Sequence, residues 1–244
     1  NPGSATDYAY LLSVYFEAPT AADSYSLKSC TCTSFNISAD MDTAGGRFNY
    51  TATFQTQSAP AKGAVTSTDA TAIGSNFIYL SLMDERNIDV KDYDGSSDQD
   101  DITPLFKSFN MTIESPTQFL GATGANGEPE AWAKSLPELS ITYGGSIKYD
   151  DETDNMVEAF RDSGSVSYLT FFLSDVAVAG TTETPTGVFF AASSSQKFGM
   201  WFGKAKLTSC EVSSDDLAMV NFEAKVLAPS SGNTVHFLGG DNAA

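Results

Sequence analysis

The feature that most restricts the fold is a recurring run of Thr and aromatic residues in near two-residue alternation, set against a single stretch of helical periodicity. Successive side chains of a strand leave opposite faces, so such runs suit a pleated surface with one side buried. Residues 29–38 and 47–57 form the first pair, joined through 39–46, where Asp42 and Gly45-Gly46 suit a hairpin connection. Further strands are expected at 77–82, 106–113, 139–149, 166–173, 187–192, 198–212 and 217–227, with Gly, Ser, Asp and Pro clusters between them. The one helical stretch is 150–160, extending to about 162. Its first turn is acidic, as the helix dipole favours, Met156, Val157 and Phe160 share a face, and Gly164 can end it. The expected class is all-β, a β-sandwich or barrel-like fold with one short α-helix, long loops and terminal arms.

A weak internal similarity refines this picture. Leu27-Lys-Ser-Cys30 and Leu207-Thr-Ser-Cys210 each open a strand that passes acidic residues and leads to a second strand, 50–54 or 220–225. Residues 105–113 resemble the opening strand. Two hairpin units facing each other would bury both apolar faces. The domain expected over 27–228 is flanked by an N-terminal arm, 1–26, and a C-terminal arm, 229–244, both sparse in core residues.

Charge and composition exclude several functions. The 244 residues carry 31 carboxylates against 13 basic side chains, a net charge of −18, which disfavours loose binding along phosphate backbones. With 41% apolar residues, the chain has material for a substantial core. The most apolar stretch, 168–173, is far too short to span a bilayer, so no membrane insertion is expected. The start lacks both an initiating Met and a signal-peptide pattern, so further N-terminal residues are expected before Asn1.

Chemistry-bearing residues are few. Cys30 and Cys32 fall on one face of a strand and Cys210 is distant; without a C-x-x-C pair they suit reduced thiols better than a disulfide framework or zinc site. His236 is the single His and has no flanking catalytic signature, so it reads as structural. Around the 92–101 segment, Asp92, Asp94, Asp98 and Asp100 surround a Gly in a calcium-like manner, but the EF-hand order is not met. An acidic, solvated loop over 84–101 is the expectation. The sequons at Asn36, Asn49 and Asn110 fall inside expected strands and read as accidents of a Thr-rich chain. Residues 121–127 are Gly-rich without the Lys of a phosphate loop, and 56–74 form a long small-residue loop. No catalytic, cofactor-binding or metal-ligating residue is singled out.

The order and texture of the chain resemble the tail tube proteins (major tail proteins) of long-tailed bacteriophages. The resembling elements are the first hairpin with Leu27-Lys-Ser-Cys30 and 48–57, the strand 106–113, the run 139–147 with its acidic helix, and the closing pair 203–212 and 220–226. They span about 25–228. The resemblance implies a structural, non-enzymatic virion protein without cofactors. Copies would form hexameric rings whose inner sheets join around a channel, and rings would stack through the 56–74 and 84–101 loops and both arms. Double-stranded DNA would pass without specific binding, with tape-measure, tail terminator and distal tail proteins as further partners. An acidic lumen would repel the phosphates in transit.

Two other classes compete. A carbohydrate-binding or adhesive β-sandwich could use Trp132, Trp201 and the ten tyrosines as stacking platforms, although core or interface positions suit the tryptophans better. A carboxylate glycosidase would need a cleft pair that no spacing selects.

Overall fold

The computed structural model describes residues 12–16, 18–56, 60–63, 80–82, 88–93, 99–102, 105–119, 132–134, 140–161, 168–174, 198–213, 218–227 and 235–239. In chain order these form β1 (Leu12–Phe16), β2 (Tyr25–Asp40), β3 (Asn49–Gln55), β4 (Ala61–Lys62), β5 (Ile88–Tyr93), β6 (Gln99–Asp101) and β7 (Phe106–Glu114). They continue as β8 (Thr117–Phe119), β9 (Trp132–Lys134), β10 (Ser140–Lys148), α1 (Asp151–Arg161), β11 (Tyr168–Ser174), β12 (Phe198–Ser213), β13 (Met219–Val226) and β14 (Val235–Gly239). The protein is all-β and sandwich-like, with antiparallel pairing and, among the described residues, one short α-helix. No helix among the described residues is long and apolar enough to cross a membrane. Contacts divide into two units, one of 1–36, 51–77 and 112–140, the other of 37–50, 78–111 and 141–244.

The second unit holds most of the apolar core. Its strands run β7-β10-β13-β12-β11-β5-β6, and β14 also pairs with β12. Phe109 of β7 stacks on Phe171 of β11 at 5.4 Å. Four strand steps separate them in this order, which would be about 19 Å in a flat sheet. The sheet therefore curls over, and Tyr143 and Phe202 fill the enclosed space against Phe171 at 5.1 and 5.4 Å. Inner residues alternate cleanly along β13, where Val220, Phe222 and Ala224 are buried and Asn221, Glu223 and Lys225 exposed.

Two extra residues keep β12 on this surface. Across β11 the register runs Leu169↔Ala205 and then Phe171↔Phe202, and across β13 it runs Leu207↔Ala224 and then Ser209↔Glu223. Each shift inserts one residue into β12 and reverses the phase of alternation. Burial accordingly passes from Met200 and Phe202 to Ala205 and Leu207, then to Cys210. The carbonyl of Lys204 at the first bulge accepts from the Leu227 amide at 3.1 Å, and the Thr208 hydroxyl at the second donates to the Glu223 carbonyl at 3.1 Å. In β10, Gly144 and Gly145 lie so close to their neighbours that an added Cβ would collide with the carbonyl oxygens of Phe222 and Ser108 respectively.

Helix α1 packs against β12. Asp150 and Thr153 start it reciprocally: the Asp150 amide donates to Thr153 Oγ1 at 2.8 Å, and the Thr153 amide donates to Asp150 Oδ1 at 3.3 Å. Thr153, Met156 and Val157 are buried, whereas Phe160, expected on the docked face, is 36% exposed near the helix end.

The first unit is leaner. Here β1 pairs with β2 (Leu12↔Cys30, then Val14↔Leu27), β4 pairs with Tyr25 and Ser26, and β8 pairs with β9. Its buried described residues are Ser24, Cys30 and Thr31.

Several expectations are corrected. The 84–101 segment is not simply a solvated loop: β5 and β6 form an antiparallel pair, with Ile88, Val90 and Ile102 fully buried. Ile88-x-Val90 supplies an apolar face that the surrounding acidic residues mask in the sequence. Of the strand expected at 77–82, only 80–82 is described, where Leu80 and Leu82 are buried and Ser81 makes a single bridge to Arg47. Both terminal segments contribute strands, β1 to β2 and β14 to β12. The expected strand 187–192, the 121–127 loop, most of 56–74 and Gly164 lie outside the described residues.

Candidate functional site

The surface that invites interaction is the hairpin of β2 and β3. Its connection is local in origin: Asp40 Oδ1 accepts from the Asp42 amide at 2.7 Å, and Gly45 and Gly46 take left-handed φ of 65° and 72°. A side chain at Gly46 would also meet Met41 Sδ at 2.7 Å. The connection is pinned by an ion pair from Lys107 to Asp42 at 3.2 Å and by the Met41 amide donating to the Lys107 carbonyl at 2.9 Å.

Strand β3, Asn-Tyr-Thr-Ala-Thr-Phe-Gln, has no charged residue, and all seven of its residues are exposed. Tyr50 and Phe54 are 42% and 40% exposed. In the sheet order β3 pairs with β2, which makes it an edge strand among the described elements. Edges are normally guarded by Lys, Pro or bulges because their free N–H and C=O groups template further strands. β3 carries none of these side-chain guards. Thr33 Oγ1 donates to the Thr53 carbonyl at 3.3 Å, and on β2's other side the Thr33 carbonyl accepts from the Ser115 amide at 2.9 Å. Polar pairs hold the surroundings, Thr31 Oγ1 with Thr117 Oγ1 at 2.8 Å and Asn36 Nδ2 donating to Thr112 Oγ1 at 3.1 Å. At the β1–β2 end, Phe16 and Tyr25 are paired in register and 56% and 41% exposed. Lys62 lies 5.9 Å from the Tyr25 ring centroid and pairs with Asp23 at 3.2 Å.

Other residues singled out in the sequence are placed as follows. His236 lies on β14 opposite Trp201 of β12, and Trp132 lies on β9 opposite Phe119. Cys30 and Cys210 are buried and Cys32 is half-buried, and none of the three is in a disulfide. The Cys32 thiol donates to the Ser34 carbonyl at 3.4 Å. Asn49 and Asn110 are exposed, while Asn36 is half-buried. Asp92 and Asp100 are Cα partners in the β5–β6 register, and Asp94 and Asp98 lie outside the described residues. No group of three or more His, Cys, Asp or Glu among the described residues is placed to hold a metal ion.

Two tyrosines are perturbed. Desolvation around its hydroxyl pushes Tyr50 up to about 12, although the residue as a whole is partly exposed. Tyr149 is raised chiefly because its hydroxyl donates to Asp154 Oδ1, at 2.7 Å. The exposure of β3 was hidden in the sequence, whose Tyr50-x-Ala52-x-Phe54 alternation reads like any half-buried strand. No protein-family model matches the chain, and no curated protein matches it.

Proposed function

We propose that the protein is a structural subunit of a bacteriophage tail tube, built by copies of itself into stacked hexameric rings around an acidic channel for genome delivery. The observation that carries this reading is the uncharged edge strand β3, whose seven residues are all exposed, on the sixteen-residue β2. A lone protein with such an edge risks indiscriminate strand pairing, whereas cyclic symmetry consumes every edge in a closed ring. The net charge of −18, multiplied sixfold in a ring, would repel DNA phosphates and leave the conduit non-adhesive. In this role the protein does no chemistry. Its neighbours in the virion would be tape-measure, tail terminator and distal tail proteins.

Electron microscopy of the purified protein tests the reading. Rings or tubes with a central channel are expected. A persistent monomer at high concentration, above all one that binds a glycan array, would overturn it in favour of a carbohydrate-binding module.

A further inference from the structure

Strand β3 has a chemical symmetry that its exposure makes usable. Its sequence, Asn49-Tyr-Thr-Ala-Thr-Phe-Gln55, reads nearly alike from either end about Ala52. A side-chain amide stands at each end, an aromatic ring comes next, a threonine follows, and Ala52 is the centre. Period-two alternation puts Tyr50, Ala52 and Phe54 on one face and Asn49, Thr51, Thr53 and Gln55 on the other. All seven residues are exposed, so both faces reach solvent.

The backbone is turned so that this symmetry can act. The Thr53 carbonyl accepts from Thr33 of β2, so position 53 directs its peptide groups toward β2. In an antiparallel ladder the amide and carbonyl of one residue leave on the same side, and successive residues alternate. Ala52 and Phe54 therefore direct theirs to the edge away from β2. Before the strand begins, the Phe48 amide donates to the Leu80 carbonyl at 3.0 Å, so the segment 80–82 borders the chain as far as Phe48. From Asn49 onward, β2 is the one strand paired with β3 among the described elements.

We propose that β3 of the free protein pairs antiparallel with β3 of a second copy, about a two-fold axis at Ala52. Ala52 then exchanges both backbone hydrogen bonds with its own counterpart. In this register Tyr50 meets Phe54, Thr51 meets Thr53 and Asn49 meets Gln55, each pair occurring twice. Aromatic pairs and threonine pairs are favourable across strands, and no like charges meet because the strand has none. A two-fold contact is self-complementary and stops at two copies, so it covers the edge without templating further strands. Seven residues a side fall well short of the ~20–30 of a standard interface, so the dimer is micromolar or weaker. Under the self-assembly reading this dimer is a reserve, in which β3 is protected until ring contacts claim the same edge. The role as reserve rests on that reading; the two-fold pairing itself does not.

The test uses the full chain below the concentration at which larger assemblies form. Analytical ultracentrifugation is expected to show a reversible monomer–dimer equilibrium. Ala52→Lys sets a lysine against its own copy and should raise the dissociation constant at least tenfold, with circular dichroism verifying that the variant is folded. Ala52→Cys reads the register independently of that variant. Counterparts at the centre of the pairing lie about 5.5 Å apart between Cα atoms, within reach of a disulfide. Counterparts at position 51 lie on a diagonal, about 7–8 Å apart. Under mild oxidation Ala52→Cys should therefore form covalent dimers several times faster than Thr51→Cys, with the natural chain and its three cysteines as background. A natural chain that stays monomeric, or Ala52→Cys that cross-links no faster than Thr51→Cys, would overturn the pairing. Rings without such dimers would leave the self-assembly reading standing and this contact wrong. Dimers cross-linked through position 52 from a chain that never forms rings would establish the contact and overturn that reading.

Discussion

The β12–β13 and β2–β3 hairpins begin alike and end differently. Both open on a sixteen-residue strand containing Leu-x-Ser-Cys, and both have an extra residue beside that motif, between Leu207 and Ser209 in one and between Leu27 and Cys30 in the other. Both buried cysteines, Cys30 and Cys210, follow the irregularity. The second strands also share a period: Val220-x-Phe222-x-Ala224 and Tyr50-x-Ala52-x-Phe54. Yet the first of these apolar sets is buried and the second is exposed. Period-two patterning states which side chains share a face; it does not state what covers that face. In one hairpin the cover is the curled sheet of the same unit. In the other, under the proposed function, it is another copy.

The difference is open to measurement. Phe171→Ala should cost about 3–5 kcal/mol in chemical denaturation, since it removes a ring packed against Phe109, Tyr143 and Phe202. Phe54→Ala should cost the isolated chain less than about 1.5 kcal/mol, because 40% of the residue is already in water. Equal losses would break the comparison. Gly145→Ala comes next, at about 1–3 kcal/mol, since its Cβ meets the Ser108 backbone rather than a yielding side chain. An unchanged denaturation midpoint would show that β10 can move away from β7.

Thr153→Val should cost about 1 kcal/mol by removing the hydroxyl that accepts from the Asp150 amide at the start of α1, the helix that packs on β12 and has no described counterpart on β3. A loss of helical signal without loss of sheet signal in circular dichroism would sharpen the contrast.

The smallest effect concerns alkaline pH. Tyr50 is raised from 10.0 to about 12, so the stability it lends is fully present below about pH 10 and is lost as pH rises through about 12. Tyr50→Phe should therefore flatten the stability profile between those values. A profile as steep as that of the natural chain would assign the alkaline loss to other groups.

Much of the fold is legible locally. The strands at 106–114, 140–148 and 198–213 and the helix at 151–161 appear within a residue or two of where alternation and the acidic first turn put them. The hairpin connection after Asp40 follows from Asp42 and the two glycines, whose conformations need no distant partner. The acidic segment reads as a solvated loop because its charge outweighs Ile88 and Val90, two residues whose importance depends on Leu169, Phe171 and Leu173 of β11 more than seventy positions away. The pairing of Lys206 with Lys225 across β12 and β13 is equally invisible, because the bulge at Thr208 sets that register.

Composition, alternation and turn chemistry alone determined that this chain is an acidic β protein with a helix over 151–161. They could do so because the direction of Cβ and the conformations open to Gly and Asp are properties of a few neighbouring residues. Tertiary structure alone decided that the sheet curls around Phe109, Phe171 and Phe202, that the residues of β3 are exposed, and that Lys206 and Lys225 are paired in register. Coverage and cross-strand register arise from contacts between residues far apart in the chain, and no local pattern specifies which distant surface will arrive.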